Sequence, residues 1–148
     1  MWVSTARDRT QPTIVERSTD TLPQSTLGSL FVVSGKILLT NIVGEVTTAI
    51  QNQANLAKLV SNPTVGADVN LCQTLNISND TVGTMYNITG TLSHDMIATT
   101  SGAVESQGGM IVVSDGTIDL DCSASSTGSV QWTLHYSPLD SDSSVTTI

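Results

Sequence analysis

From Ser29 to Tyr136 the chain is cut into short apolar or alternating segments by Gly, Asn, Asp and Ser, and this punctuation is the strongest constraint on its fold. Short runs rich in Val, Ile and Thr suit a pleated, half-buried surface, and a period of two sends alternate side chains to opposite faces. The pattern predicts strands over Ser29–Val33, Lys36–Val43, Glu45–Gln51, Lys58–Ser61, Asp68–Leu75, Thr84–Thr89, Met96–Thr99, Met110–Val113, Thr117–Cys122 and Ser129–Tyr136. Breaks fall at Ser34-Gly35, Gly44, Asn62-Pro63, Asn79-Asp80, Gly90, Gly108-Gly109, Asp115-Gly116 and Thr127-Gly128. Asp115-Gly116 lies between two apolar-patterned runs and predicts a two-residue hairpin. One stretch has a helical alternative: Val46, Ile50, Ala54 and Ala57 recur at roughly helical spacing. Val46–Ile50 also fits a strand ending in the polar Gln51–Asn55, and the strand is the preferred reading. Many short strands at this spacing point to an all-β fold, a β-sandwich or jelly-roll-like domain.

A length of 148 residues suits one domain. Residues 1–25 are polar, contain Pro12 and Pro23, and show no sustained period, so they read as an extended N-terminal arm. Residues 26–140 form the expected β body, and 141–148 a flexible C-terminal tail. The formal net charge is −8, yet Arg7, Arg9 and Arg17 crowd the first 17 residues and leave only Lys36 and Lys58 beyond them. An acidic body repels a phosphate backbone, so no direct nucleic-acid binding is expected of it. An arm bearing three arginines suits docking on an acidic partner as well as it suits a solvated tail. No apolar run approaches the roughly 18 residues that cross a bilayer, so no membrane association is expected. The N-terminus lacks the apolar core of a signal peptide. Cytoplasmic synthesis follows, with free thiols at Cys72 and Cys122 as the default. Their pairing on neighbouring strands stays open, because sequence does not show proximity.

The chemistry-bearing residues form no recognisable constellation. His94 falls in a turn, and His135 alternates to the face opposite Leu134 and Tyr136. Asp119 and Asp121 share one face of a strand and read as a solvent-facing acidic stripe, since a calcium site needs six or more oxygens. No Gly-x-Ser-x-Gly elbow or phosphate-cradling glycine loop occurs. Three Asn-x-Ser/Thr triplets, at Asn76, Asn79 and Asn87, are what a Ser/Thr-rich chain generates by chance. No catalytic, cofactor or metal residue is therefore assigned, and an enzyme is not expected. Trp132, Leu134 and Tyr136 share one face of the last predicted strand and read as core or oligomer interface, because large rings dominate burial energetics.

The stretch Leu27–Gln51 (LGSLFVVSGKILLTNIVGEVTTAIQ), together with Asn62–Gly66, Leu71-Cys72, Gly116–Leu120 and Trp132–Tyr136, resembles a family of small virion-associated proteins of tailed bacteriophages. The resemblance covers most of residues 25–140 and carries no defined activity, so no functional residue transfers. It implies a virion component on the capsid surface, made in the host cytoplasm. The leading expectation is a capsid cement or decoration protein that self-associates as a dimer or trimer. Its arm, with Arg7, Arg9 and Arg17, would bridge subunits of the major capsid protein. The alternative is a tail or head-fibre component involved in host attachment.

Overall fold

The computed structural model describes residues 12–148. It is all-β, with two antiparallel sheets around one core and no helix among the described residues. Among the described residues thirteen strands follow in order: β1 Thr13–Glu16, β2 Asp20–Thr21, β3 Leu27–Ser34, β4 Ile37–Thr48, β5 Leu56–Pro63, β6 Val69–Asn70, β7 Leu75–Asn76, β8 Met85–Asn87, β9 Ile97–Thr99, β10 Ile111–Val113, β11 Gly116–Cys122, β12 Ser129–Pro138 and β13 Ser144–Thr147. One sheet runs β1-β12-β4-β8-β9, with β10 also on β4 and β2 also on β12. The other runs β13-β3-β11-β5-β6, with β7 also on β5.

The two long strands β4 and β12 pair along nearly their whole lengths and form the spine of the first sheet. Their alternation decides what is buried. Val130, Trp132, Leu134 and Tyr136 of β12 point inward with Ile37, Leu39, Ile42 and Val46 of β4, while Gln131, Thr133 and His135 face outward. From the second sheet Phe31, Val33, Leu59, Ile118 and Leu120 close the core.

Gly44 does not break β4, although it was expected to separate two strands. It stands opposite Trp132, and a Cβ placed there would lie 2.8 Å from the indole ring. The glycine lets the ring lie against the strand backbone. On Trp132 stacks Tyr86, with ring centroids 6.2 Å apart and planes 27° from parallel. The Tyr86 hydroxyl donates to Asp80 Oδ2 at 2.5 Å, which satisfies a polar group at the end of a buried ring.

Burial pushes the Asp80 carboxyl above its usual range, and the bond from Tyr86 offsets this only in part. A carboxyl raised on folding contributes stability that is complete below its unfolded value and is lost as pH rises through the folded one. Asp80→Asn keeps an acceptor for Tyr86 and removes the charge. Its stability relative to the natural chain should therefore improve between pH 3 and pH 7. Urea midpoints at the two pH values check this, and a difference independent of pH would contradict it.

Asp115-Gly116 is a corner between sheets, not a hairpin. β10 pairs with β4 in the first sheet, whereas β11 pairs with β3 and β5 in the second. The carbonyl of Asp115 accepts the Thr64 N–H at 2.8 Å, its Oδ1 accepts the Gly35 N–H at 2.9 Å, and its Oδ2 accepts the Thr64 hydroxyl at 2.8 Å. One side chain thus ties together three connections.

Val46–Ala57 is not helical: β4 ends at Thr48 and a loop follows. That loop is anchored by Asn55, fully buried, whose Nδ2 donates to the Ala124 carbonyl and the Ser126 hydroxyl, each at 3.2 Å. The segment expected as one strand over Asp68–Leu75 is two short ones, β6 and β7, both against β5. Between them Leu71 and Cys72 dip into the core.

The ends differ most from expectation. Thr13–Glu16 and Asp20–Thr21 are strands on β12, and Ser144–Thr147 is a strand on β3. Over these residues the predicted arm and tail are parts of the two sheets. The local sequences are too short and polar to reveal this, because their pairing partners are more than 100 residues away along the chain.

Candidate functional site

Arg17 was expected on a free arm. It instead continues the ladder of β1, its N–H donating to the Trp132 carbonyl at 2.9 Å. Its side chain is only 10 % exposed, and Nη2 donates to Asp20 Oδ2 at 3.1 Å. The Asp20 carboxyl is held below its usual value by the Thr21 N–H first and by Arg17 second. The pair borders a cleft of about 310 Å³ between the sheets, floored by Leu30, Leu120, Val130 and Trp132. An arginine folded into its own body is not available to clamp a neighbouring subunit, so Arg17 is removed from the docking set. Arg7 and Arg9 lie outside the described residues.

Trp132, Leu134 and Tyr136 are buried, at 2 %, 0 % and 6 % exposure. Within this chain they are core. Asp119 is not part of a solvent-facing stripe: it is 1 % exposed, with Asn62 Nδ2 at 3.4 Å from its Oδ2 and its Oδ1 without a partner. Asp121 is more open and lies 3.9 Å from Lys58 Nζ. Among the described residues no three or more His, Cys, Asp or Glu side chains converge as metal ligands would. His94 Nδ1 is 3.0 Å from the Thr89 hydroxyl, and His135 sits opposite Ile14 and Asn41 on the outer face. Cys72 and Cys122 are unpaired and buried. Burial pushes both thiols up, Cys122 to about 12, so neither is a nucleophile near neutral pH.

What the structure does bring together is surface. On the outer face of the first sheet Val112 of β10, Leu38 of β4 and Ser137 of β12 form one cross-strand row. Val112 is 58 % exposed, and Met110, two residues earlier, is 62 % exposed. Leu139, two residues beyond Ser137, is 48 % exposed. On the same face, at the sheet's edge, Ile14 of β1 is 63 % exposed. Sequence reasoning passed over these residues because it read each apolar run only as core. The signal was present: Met110-Ile111-Val112-Val113 and Ile37-Leu38-Leu39 are apolar on both faces of their strands, as one-sided burial does not require.

No family model, curated protein or solved structure matches this chain.

Proposed function

We propose that this chain is a bacteriophage virion structural protein, a capsid cement or decoration protein that stabilises the head by bridging subunits of the major capsid protein. In this reading the two sheets form a β-sandwich, jelly-roll-like body that works as a homo-oligomer and carries no catalytic site. The observation that carries it is the apolar outer face where exposed Val112 lies opposite half-buried Leu38, with Met110 and Leu139, also exposed, flanking the ends of β10 and β12. Contiguous apolar residues at a surface mark sites of protein contact. Supporting it is the segregation of charge, with Arg7 and Arg9 ahead of an acidic body. The arm of this proposal is shorter than the sequence alone implied. Thr13–Glu16 and Asp20–Thr21 are strands and do not belong to it. Arginines at such positions make bidentate contacts with carboxylates of a neighbouring subunit.

The test uses heads of the encoding phage that lack the protein, mixed with the full-length chain and sedimented. The natural chain should co-sediment at a copy number comparable to the capsid subunits. Val112→Glu should abolish retention, and Arg7→Glu with Arg9→Glu should weaken it in a salt-dependent manner. Failure of the natural chain to bind heads, or its location on tails by labelled microscopy, would sink the proposal in favour of a tail or head-fibre role.

A further inference from the structure

We propose that the cleft beside Arg17 binds a small monocarboxylate with an apolar tail, the carboxylate on the guanidinium and the tail between the sheets. The observation is a charge on an inward face. Val15 of β1 is partly buried against the core, and Arg17, two residues on, continues along the same face with its side chain only 10 % exposed. Asp20 takes one bond from Nη2, but Nε is buried with no partner among the described residues. A buried charge is costly unless its hydrogen-bonding groups are satisfied. An apolar cleft with such a group at its border is the usual setting of a small-molecule site.

The packing of Trp132 explains why there is a cleft. Across the inward face of the first sheet Arg17, Trp132, Gly44 and Tyr86 stand side by side. The indole lies over Gly44, which has no Cβ to keep it off, and stacks on Tyr86. It therefore leans away from β1, and the space beside Arg17 stays open. Val130, with Leu30 and Leu120 of the second sheet, completes the apolar floor. Pro23 rests against Gly28 at the rim, where a Cβ would meet its ring at 2.6 Å.

The occupant follows from charge and size. A volume of about 310 Å³ is at the small end for ligand sites, so the ligand is small. Among the described residues Arg17 is the only cation lining the cleft, and Asp20 already offsets part of its charge. That suits one negative charge and disfavours a phosphate dianion, which needs further cations or a nest of backbone N–H groups. The edge of a guanidinium takes a carboxylate through two parallel bonds, and the Nε–H is not used by Asp20. Beyond the carboxylate the ligand meets hydrocarbon, hence the apolar tail. Such binding needs no capsid, so it holds or fails apart from the capsid reading.

Octanoate is the probe, titrated into the full chain carrying Trp2→Phe, which leaves Trp132 in the cleft as the one tryptophan. Calorimetry and Trp132 fluorescence should show a single site, half-saturated below about 1 mM. Octanol should bind about 10- to 100-fold more weakly, the equivalent of a lost charged hydrogen bond. Octylammonium should be weaker still, although a chain of net charge −8 attracts it and repels octanoate. Arg17→Met keeps the apolar stem and removes the guanidinium. Octanoate should then bind no more tightly than octanol, with the urea midpoint reporting that the variant is folded. Absence of octanoate binding to the full chain, the result if its own residues 1–11 fill the cleft, would overturn the proposal. Equal affinities for octanoate and octanol, or undiminished octanoate binding by Arg17→Met, would overturn it as well. The comparison of the three probes decides the matter even if Arg17→Met misfolds.

Discussion

Trp132→Ala is expected to lower the unfolding free energy by about 3–5 kcal/mol, the range for removing a large buried aromatic. The side chain is 2 % exposed, stacks on Tyr86, and rests on the bare backbone of Gly44. Its loss leaves a void that the strand spine cannot fill, because β4 and β12 are fixed by their mutual ladder. Gly44→Ala probes the same contact from the other side. The added methyl meets ring atoms at 2.8 Å and should cost about 1–3 kcal/mol by overpacking. The two sites are coupled, so their effects should not add. Once the indole is gone, the methyl has room, and Gly44→Ala should cost little or even restore stability. Urea denaturation of the two single variants and the double variant checks this. A Trp132→Ala loss under about 1 kcal/mol, or strictly additive effects, would show that the ring is not the keystone of this packing.

The part of the fold legible in the sequence is the part governed by period two. Trp132, Leu134 and Tyr136 alternate in the sequence and are buried together in the structure. Asn55 and Asp115 show where legibility stops. Each is a polar residue in a turn-rich stretch, yet each is defined by partners far along the chain, Ala124 and Ser126 for one, Gly35 and Thr64 for the other. Glycine is ambiguous for the same reason. A glycine reads as a break, but at Gly44 what matters is the ring that arrives from residue 132. Of the residues singled out for docking, Arg17 was misread because nothing local announces the ladder bond to Trp132 or the cleft that holds its guanidinium. The outward apolar residues were legible in principle. Two-faced apolar runs in antiparallel sheets are a statement about the surface as well as the core.

The corner at Gly116 carries the second large effect. Here the chain leaves β10 in one sheet and enters β11 in the other, and Gly116 pairs with Pro63 and with Val33 at the start of both ladders of β11. Its φ is +151°, in the region that side chains avoid, and a Cβ would stand 2.3 Å from the Asn62 carbonyl oxygen and 2.7 Å from the Pro63 Cα. These are backbone atoms of a paired strand and do not swing aside as a flexible side chain would. Gly116→Ala therefore incurs backbone strain of about 1–3 kcal/mol and a further overpacking cost of about 1–3 kcal/mol. Relief requires β11 to separate from β5 at this end, so the damage should be local to the corner before it is global. Hydrogen exchange should show lost protection at Thr117 and Thr64, whose N–H donates to the Asp115 carbonyl, while Trp132 and Leu134 keep theirs. Asp115→Ala should loosen the same amides without the clash, and so with a smaller change in the unfolding midpoint. If Gly116→Ala unfolds at the same denaturant concentration as the natural chain, the corner is not the rigid joint between sheets that its geometry describes.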